Sequence, residues 1–121
     1  MTKTVLTVDD SRTMRDMLKA ALSSAGYSVV QAEDGMHGLE VLAGIRPDVI
    51  ITDINMPRLD GFGFIAGVRK EGPNRAVPIL VLSTESHIDK KNRARTAGAT
   101  GWIVKPFDPV KLVDAVRRVA A

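Results

Sequence analysis

The sequence predicts an α/β fold, a single parallel β-sheet with helices packed on both faces. Three observations carry this. Strand-length apolar runs alternate five times with segments of helical periodicity along the 121 residues, as parallel β–α–β units require. Val49-Ile50-Ile51 is an unbroken β-branched run bounded by turn residues, which suits a strand buried on both faces. Four of the apolar runs lead into chemistry-bearing residues: Asp9-Asp10, Asp53, Ser83-Thr84 and Lys105. In a parallel sheet these lie along one carboxyl edge, where open α/β sheets bind ligands.

Each element follows from local sequence. Val5-Leu6-Thr7-Val8 is the first strand. Ser11 caps a helix with Met14, Leu18, Ala21, Leu22 and Ala25 at helical spacing, closed by Gly26. Ser28-Val29-Val30-Gln31-Ala32 is more polar and suits a sheet edge. After the turn Glu33-Asp34-Gly35, a helix runs through Leu39 and Leu42 to Gly44, weakened by Gly38. Arg46-Pro47-Asp48 breaks the chain before the central strand, which Met56-Pro57 cannot extend. Phe64, Ile65 and Val68 mark a short helix between the loops Arg58-Leu59-Asp60-Gly61 and Glu71-Gly72-Pro73-Asn74-Arg75. Pro78 opens the strand Ile79-Leu80-Val81-Leu82. Ser86, with Asp89 three residues on, resembles a capping box. The helix it starts has few apolar residues, Ile88, Ala94 and Ala97, among Lys90, Lys91, Arg93 and Arg95, and ends at Gly98. Gly101-Trp102-Ile103-Val104 is the last strand. Asp108 caps and Pro109 begins a final helix with Leu112, Val113, Val116 and Val119 inward.

This length suits one domain with a real core. Apolar residues make up 45% and charged residues 26%, as in soluble globular proteins. No apolar run approaches the roughly 18 residues of a membrane span, and no secretory leader pattern opens the chain. With no cysteine, disulfides and thiolate metal sites are excluded, which fits a cytoplasmic protein. The formal charge of +3 permits an acidic partner without specifying one.

The strand-end residues carry the chemistry. Three carboxylates brought together repel, and one lysine cannot neutralise them. Hard oxygen ligands without histidine or thiolate favour Mg²⁺, or Mn²⁺ in its place. Mg²⁺ keeps several waters and takes few carboxylates plus phosphate oxygens, so the pattern points to phosphoryl chemistry. Any one of these residues alone is better read as a cap or a solvated side chain; capping does not explain the set. His37 and His87 read as surface residues, and Met14, Met17 and Met36 as core or solvent-edge residues.

Asp9-Asp10, Asp53, Met56-Pro57, Asp60-Gly61, Ser83 and Lys105-Pro106 together resemble the receiver domain of two-component response regulators, closest in form to the stand-alone CheY-type chemotaxis regulators. The resemblance spans residues 1–121 as one receiver domain, and it implies a flavodoxin-like (βα)5 doubly wound sheet of strand order 2-1-3-4-5. It implies that Asp53 accepts a phosphoryl group from a histidine kinase (CheA-like). It implies that Asp10, Asp53 and the backbone carbonyl of Asn55 ligate Mg²⁺, with Asp9 acting through water. Lys105 would pair with the phosphoryl group, Ser83 would donate its hydroxyl to it, and the Lys105-Pro106 bond would be cis. Phosphorylation would draw Ser83 inward and shift a surface including Ser83, Trp102, Lys90, Lys91 and Arg95. Asn55, Glu85 and Thr84 would tune dephosphorylation. In two places the sequence departs from the family. Trp102 stands where Tyr or Phe is usual, and Thr84 is larger than the residue common there, which would slow reset.

Such a chain is a phospho-accepting signalling protein rather than a turnover enzyme, expected as a monomer without DNA or membrane partners. Its five units leave no segment for an output domain or a DNA-recognition helix. The downstream partner implied is a flagellar motor switch protein; the alternative is a histidine phosphotransfer domain, with the protein acting as a relay or phosphate sink. A flavin protein of this topology would need a phosphate-cradling Ser/Thr/Gly-rich loop where Asp9-Asp10 stand. A phosphatase with an aspartate nucleophile would carry a D-x-D pair after the first strand, which is absent.

Overall fold

Five parallel strands form one sheet in the order β2-β1-β3-β4-β5 in a computed structural model that describes residues 2–70 and 72–120. Glu71, assigned by the sequence to a loop, lies outside the described residues. The strands are β1 (Thr4–Val8), β2 (Ser28–Ala32), β3 (Val49–Thr52), β4 (Ile79–Ser83) and β5 (Gly101–Val104). They alternate with helices α1 (Arg12–Ser24), α2 (Gly35–Leu42), α3 (Gly61–Lys70), α4 (Ile88–Ala97) and α5 (Pro109–Ala120). This is the flavodoxin-like (βα)5 arrangement, with the polar β2 at an edge as its sequence requires.

Strand alternation divides the core into two layers. Leu6, Val8, Ile50, Ile79 and Val81 face α2, α3 and α4 and pack with Phe64, Ile65 and Val68. Val5, Val49, Ile51, Leu80 and Leu82 face α1 and α5 and pack with Leu18, Leu22, Leu112 and Val116. The central strands β3 and β4 are buried at every position, so their continuous apolar runs are explained. None of the described helices is long and apolar enough to cross a membrane.

Gly38 does more than weaken α2. A Cβ there would lie 2.7 Å from Cε1 of the fully buried Phe64. Glycine's helix cost of about 1 kcal/mol is therefore the condition for α2 to lie close against α3.

The start of α4 corrects the sequence reading. Ser86 does not cap it; His87 does, its Nδ1 accepting the Asp89 N–H at 3.3 Å. The Glu85 carboxylate takes the His87 N–H at 3.1 Å, which holds residue 87 in the extended backbone of a cap. Ile88, one of the helix's few apolar residues, is 62% exposed, and Ala94 is the residue α4 buries. At its other end α4 stops at Gly98, φ +117°, with the Gly98 N–H donating to the Ala94 and Arg95 carbonyls.

Candidate functional site

Register brings the distant polar residues together. Val8 lies opposite Thr52, so Asp9 and Asp53 leave the sheet side by side, and the Asp53 N–H donates to the Val8 carbonyl at 2.9 Å. Ser83 lies opposite Val104, so Lys105 follows beside it, its N–H donating to the Ser83 carbonyl at 2.8 Å. The Lys105-Pro106 peptide is cis.

The Lys105 ammonium donates to Asp9 Oδ2 at 2.9 Å and to Asp53 Oδ2 at 3.0 Å. Its side chain is 10% exposed and that of Asp53 12%. Asp9 is buried, and its Oδ1 accepts the Ser11 N–H at 2.9 Å. Asp53 Oδ1 accepts the Ile54 N–H at 2.7 Å. Burial pushes the Asp9 carboxyl above its ordinary range, against the lowering effects of the Ser11 N–H and Lys105. For Lys105 burial works against the charge, but hydrogen bonds to Asp9 and Asp53 outweigh it and hold the ammonium above its ordinary value.

Carboxylate oxygens of Asp9, Asp10 and Asp53 lie within 4.8 Å of one another. At that separation the shielded Asp9 and Asp53 carboxylates repel by about 3.5 kcal/mol at an effective dielectric near 20. Three carboxylates against one ammonium leave a net charge of −2, and the donors are all hard oxygens. The set fits a divalent cation of the Mg²⁺ type.

The remaining candidates lie at the end of β4, in the loops after β3 and β4, on α4 and on β5. Ser83 is buried, and its Oγ accepts the Glu85 N–H at 3.2 Å, which leaves its own proton to donate. Asn55 and Thr84 are exposed. Trp102 is half-buried, packs against the α2–α4 core layer, and donates its indole N–H to the Glu85 carbonyl at 2.9 Å. The Glu85 carboxylate turns toward α4, with Oε2 3.5 Å from Lys90 Nζ. Lys91 is half-buried and Arg95 exposed on the same helix.

Two arginine supports were not read from the sequence, one beside the acidic pocket and one at the opposite edge of the sheet. Arg58, directly after Met56-Pro57, has φ +65° and makes a bidentate pair with Asp34, Nε to Oδ2 at 2.8 Å and Nη2 to Oδ1 at 3.0 Å. Asp34 also caps α2 by accepting the His37 N–H at 2.8 Å. The pair ties the loop after Asp53 to the loop after β2; only the D-G dipeptide at Asp34-Gly35 hinted at a built turn. Arg69, at the end of α3, gives its guanidinium to the carbonyls of Gly98, Arg75 and Val77. An arginine in the last helical turn reads in sequence as a solvated charge, so nothing there signalled this.

A parallel sheet of this strand order with three acids, a hydroxyl and a lysine meeting at its carboxyl edge defines a receiver domain. The chain belongs to the response regulator receiver domain family, whose model matches residues 5–117. Chemotaxis protein CheY4 of Vibrio cholerae is similar along nearly its full length, with 44% identity, TM-score 0.94, and 98% of this chain and 99% of that one covered. The receiver domain of sensor histidine kinase PA1611 from Pseudomonas aeruginosa PAO1, solved with magnesium coordinated in its active-site cleft, superposes with TM-score 0.92 at 27% identity, covering 99% and 98%. Response regulator MprA of Mycobacterium leprae is 39% identical over 113 residues, 93% of this chain and 49% of that protein. The chain thus spans about half the length of the curated relatives it matches.

Proposed function

We propose that Asp53 takes a phosphoryl group from a phosphohistidine of a histidine kinase, and that the modification switches the surface formed by α4, β5 and α5. The single observation that carries this is the Lys105 ammonium bridging Asp9 and Asp53 beside the third carboxylate of Asp10. Asp53 is the acid at the end of the central strand; its Oδ1 is held by the Ile54 N–H. An Asp53 oxygen attacks phosphorus, the P–N bond to the imidazole breaks as the P–O bond forms, and the imidazole leaves with a proton. Lys105 then turns from carboxylate partner to phosphoryl partner, and the Ser83 hydroxyl donates to a phosphoryl oxygen. Positioning and charge do the catalysis.

Asp10, Asp53 and the Asn55 carbonyl would hold Mg²⁺, with Asp9 acting through water. The ion offsets charge on the transferring group when bound. The magnesium described for the PA1611 receiver supports this choice. Asn55, Glu85 and Thr84, each one or two residues beyond Asp53 or Ser83, would set the hydrolysis rate that resets the switch.

The output favoured is chemotaxis through a flagellar motor switch protein, in the cytoplasm, with Trp102, Lys90, Lys91 and Arg95 on the responsive face. The support is likeness to a CheY4 chain covered along 99% of its length. The MprA match favours a second reading, a receiver that serves a longer regulator. Relay to a histidine phosphotransfer domain is the remaining alternative.

The chemistry is tested by intact mass after acetyl phosphate and Mg²⁺. A hydroxylamine-labile gain of one phosphoryl group in the native protein, absent in Asp53→Ala, is expected. Binding of the beryllofluoride-activated protein to motor switch protein separates motor control from relay, which instead gives transfer onto a phosphotransfer histidine.

A further inference from the structure

Residue 85 is clamped through three groups. Its N–H donates to Ser83 Oγ at 3.2 Å, and its carbonyl accepts the Trp102 indole N–H at 2.9 Å. Its carboxylate lies between the His87 N–H, 3.1 Å from Oε1, and the Lys90 ammonium, 3.5 Å from Oε2. A single residue thus joins the site hydroxyl to β5 and to the first turn of α4.

The far end of α4 is fixed. Arg69 donates to the Gly98 carbonyl through Nε at 3.0 Å and Nη2 at 2.8 Å and also holds the Val77 carbonyl at the entry to β4. A Cβ at Gly98 would lie 2.7 Å from Arg69 Cγ, so the two groups are in close contact. The helix therefore cannot slide along with the β4–α4 loop. Movement of Ser83 toward a group on Asp53 must stretch the tie between Glu85 and the α4 first turn.

We propose that Lys90 is a positioning residue for the phosphoryl site: through Glu85 it holds the Ser83 loop in its resting place and raises the cost of recruiting the Ser83 hydroxyl. This rests on the reading of Asp53 as phosphoacceptor and adds a residue of α4 to that site's energetics. Coupling is reciprocal. Breaking the tie favours the ligand-bound site, and occupying the site loosens the tie.

The pair is partly exposed, 44% at Lys90 and 31% at Glu85. Exposed pairs shift equilibria by about two- to fivefold. The test uses Lys90→Met, Glu85→Gln and the double variant of the full chain, titrated with beryllofluoride at saturating Mg²⁺ and read by fluorine NMR. Each variant is expected to lower the half-saturating beryllofluoride concentration about two- to fivefold, and the double variant no further than either single one. The Mg²⁺ midpoint of Lys90→Met without beryllofluoride is expected to stay at the native value, since that variant touches no residue of the site; this separates positioning from general loosening. Unchanged half-saturation in both single variants, or independent additive shifts, overturns the role of the pair. Failure of the native protein to bind beryllofluoride overturns the phosphoacceptor reading itself.

Discussion

Replacing Asp10 with asparagine removes one of three carboxylates that meet within 4.8 Å while keeping its shape. Asp10 is exposed, so its repulsion from Asp9 and Asp53 is closer to the water limit, about 0.9 kcal/mol per pair, than to the 3.5 kcal/mol of a dielectric near 20. Two pairs sum to roughly 2 kcal/mol, and attraction to Lys105 offsets about half. Asp10→Asn should therefore be more stable than the native protein by about 1 kcal/mol in the absence of divalent ions. At roughly 2.1 cal/mol/K of unfolding entropy per residue, that raises Tm by about 4 °C for this chain length. Magnesium should reverse the order. The native protein gains RT ln(1 + [L]/Kd), about 2.7 kcal/mol at a hundredfold excess over Kd, and the variant gains far less. Thermal melts by circular dichroism at low ionic strength, in EDTA and then in Mg²⁺, read both effects. A variant that melts at or below the native protein in EDTA, or that keeps the full magnesium gain, refutes the electrostatic account.

Gly61→Ala should be destabilised by about 2–3 kcal/mol in urea unfolding, because its Cβ meets the Asp53 carbonyl and lies 2.7 Å from Ile54 Cα, backbone that cannot yield. Acetyl phosphate labelling followed by mass should slow in the same variant; native stability and rate would show that this backbone moves freely. Arg69→Met should cost about 2–4 kcal/mol, since three backbone carbonyls lose charged donors, and hydrogen exchange should quicken first at the Gly98 end of α4. A uniform change across the chain would argue against a local pin. The Arg58 guanidinium first, and then the His37 N–H, hold the Asp34 carboxyl below its ordinary 3.8. The sign follows from linkage. A depressed carboxyl contributes stability above pH 3.8 that is lost as pH falls through the folded value. Arg58→Gln should be less stable than native at pH 6 and converge with it in acid; a gap of constant size from pH 6 to pH 2 would contradict the pairing.

The order of strands and helices was legible because periodicity is a local property, written in spacing alone. Val49-Ile50-Ile51 had to be a doubly buried strand, and Ser11 and Asp108 cap helices by chemistry contained within three residues. Parallel pairing then sends every strand end to one edge, so Asp9, Asp53, Ser83 and Lys105 were recoverable as a group before any distance was known. At α4 local chemistry was ambiguous. Ser86 and His87 both offer an acceptor to the Asp89 N–H, and the choice fell to His87, where the Glu85 carboxylate takes the His87 N–H.

What the sequence by itself determined is the alternation, the edge on which the acids gather, and the family those residues mark. What only the tertiary structure decided is which side chains serve as braces: Arg58 on Asp34, Arg69 on the Gly98 carbonyl, Trp102 on the Glu85 carbonyl, and Gly38 yielding room to Phe64. The physical reason is range. Hydrophobic period and capping act within one or two turns of chain, whereas a long polar side chain finds its partner only after the sheet has fixed which distant loops are neighbours.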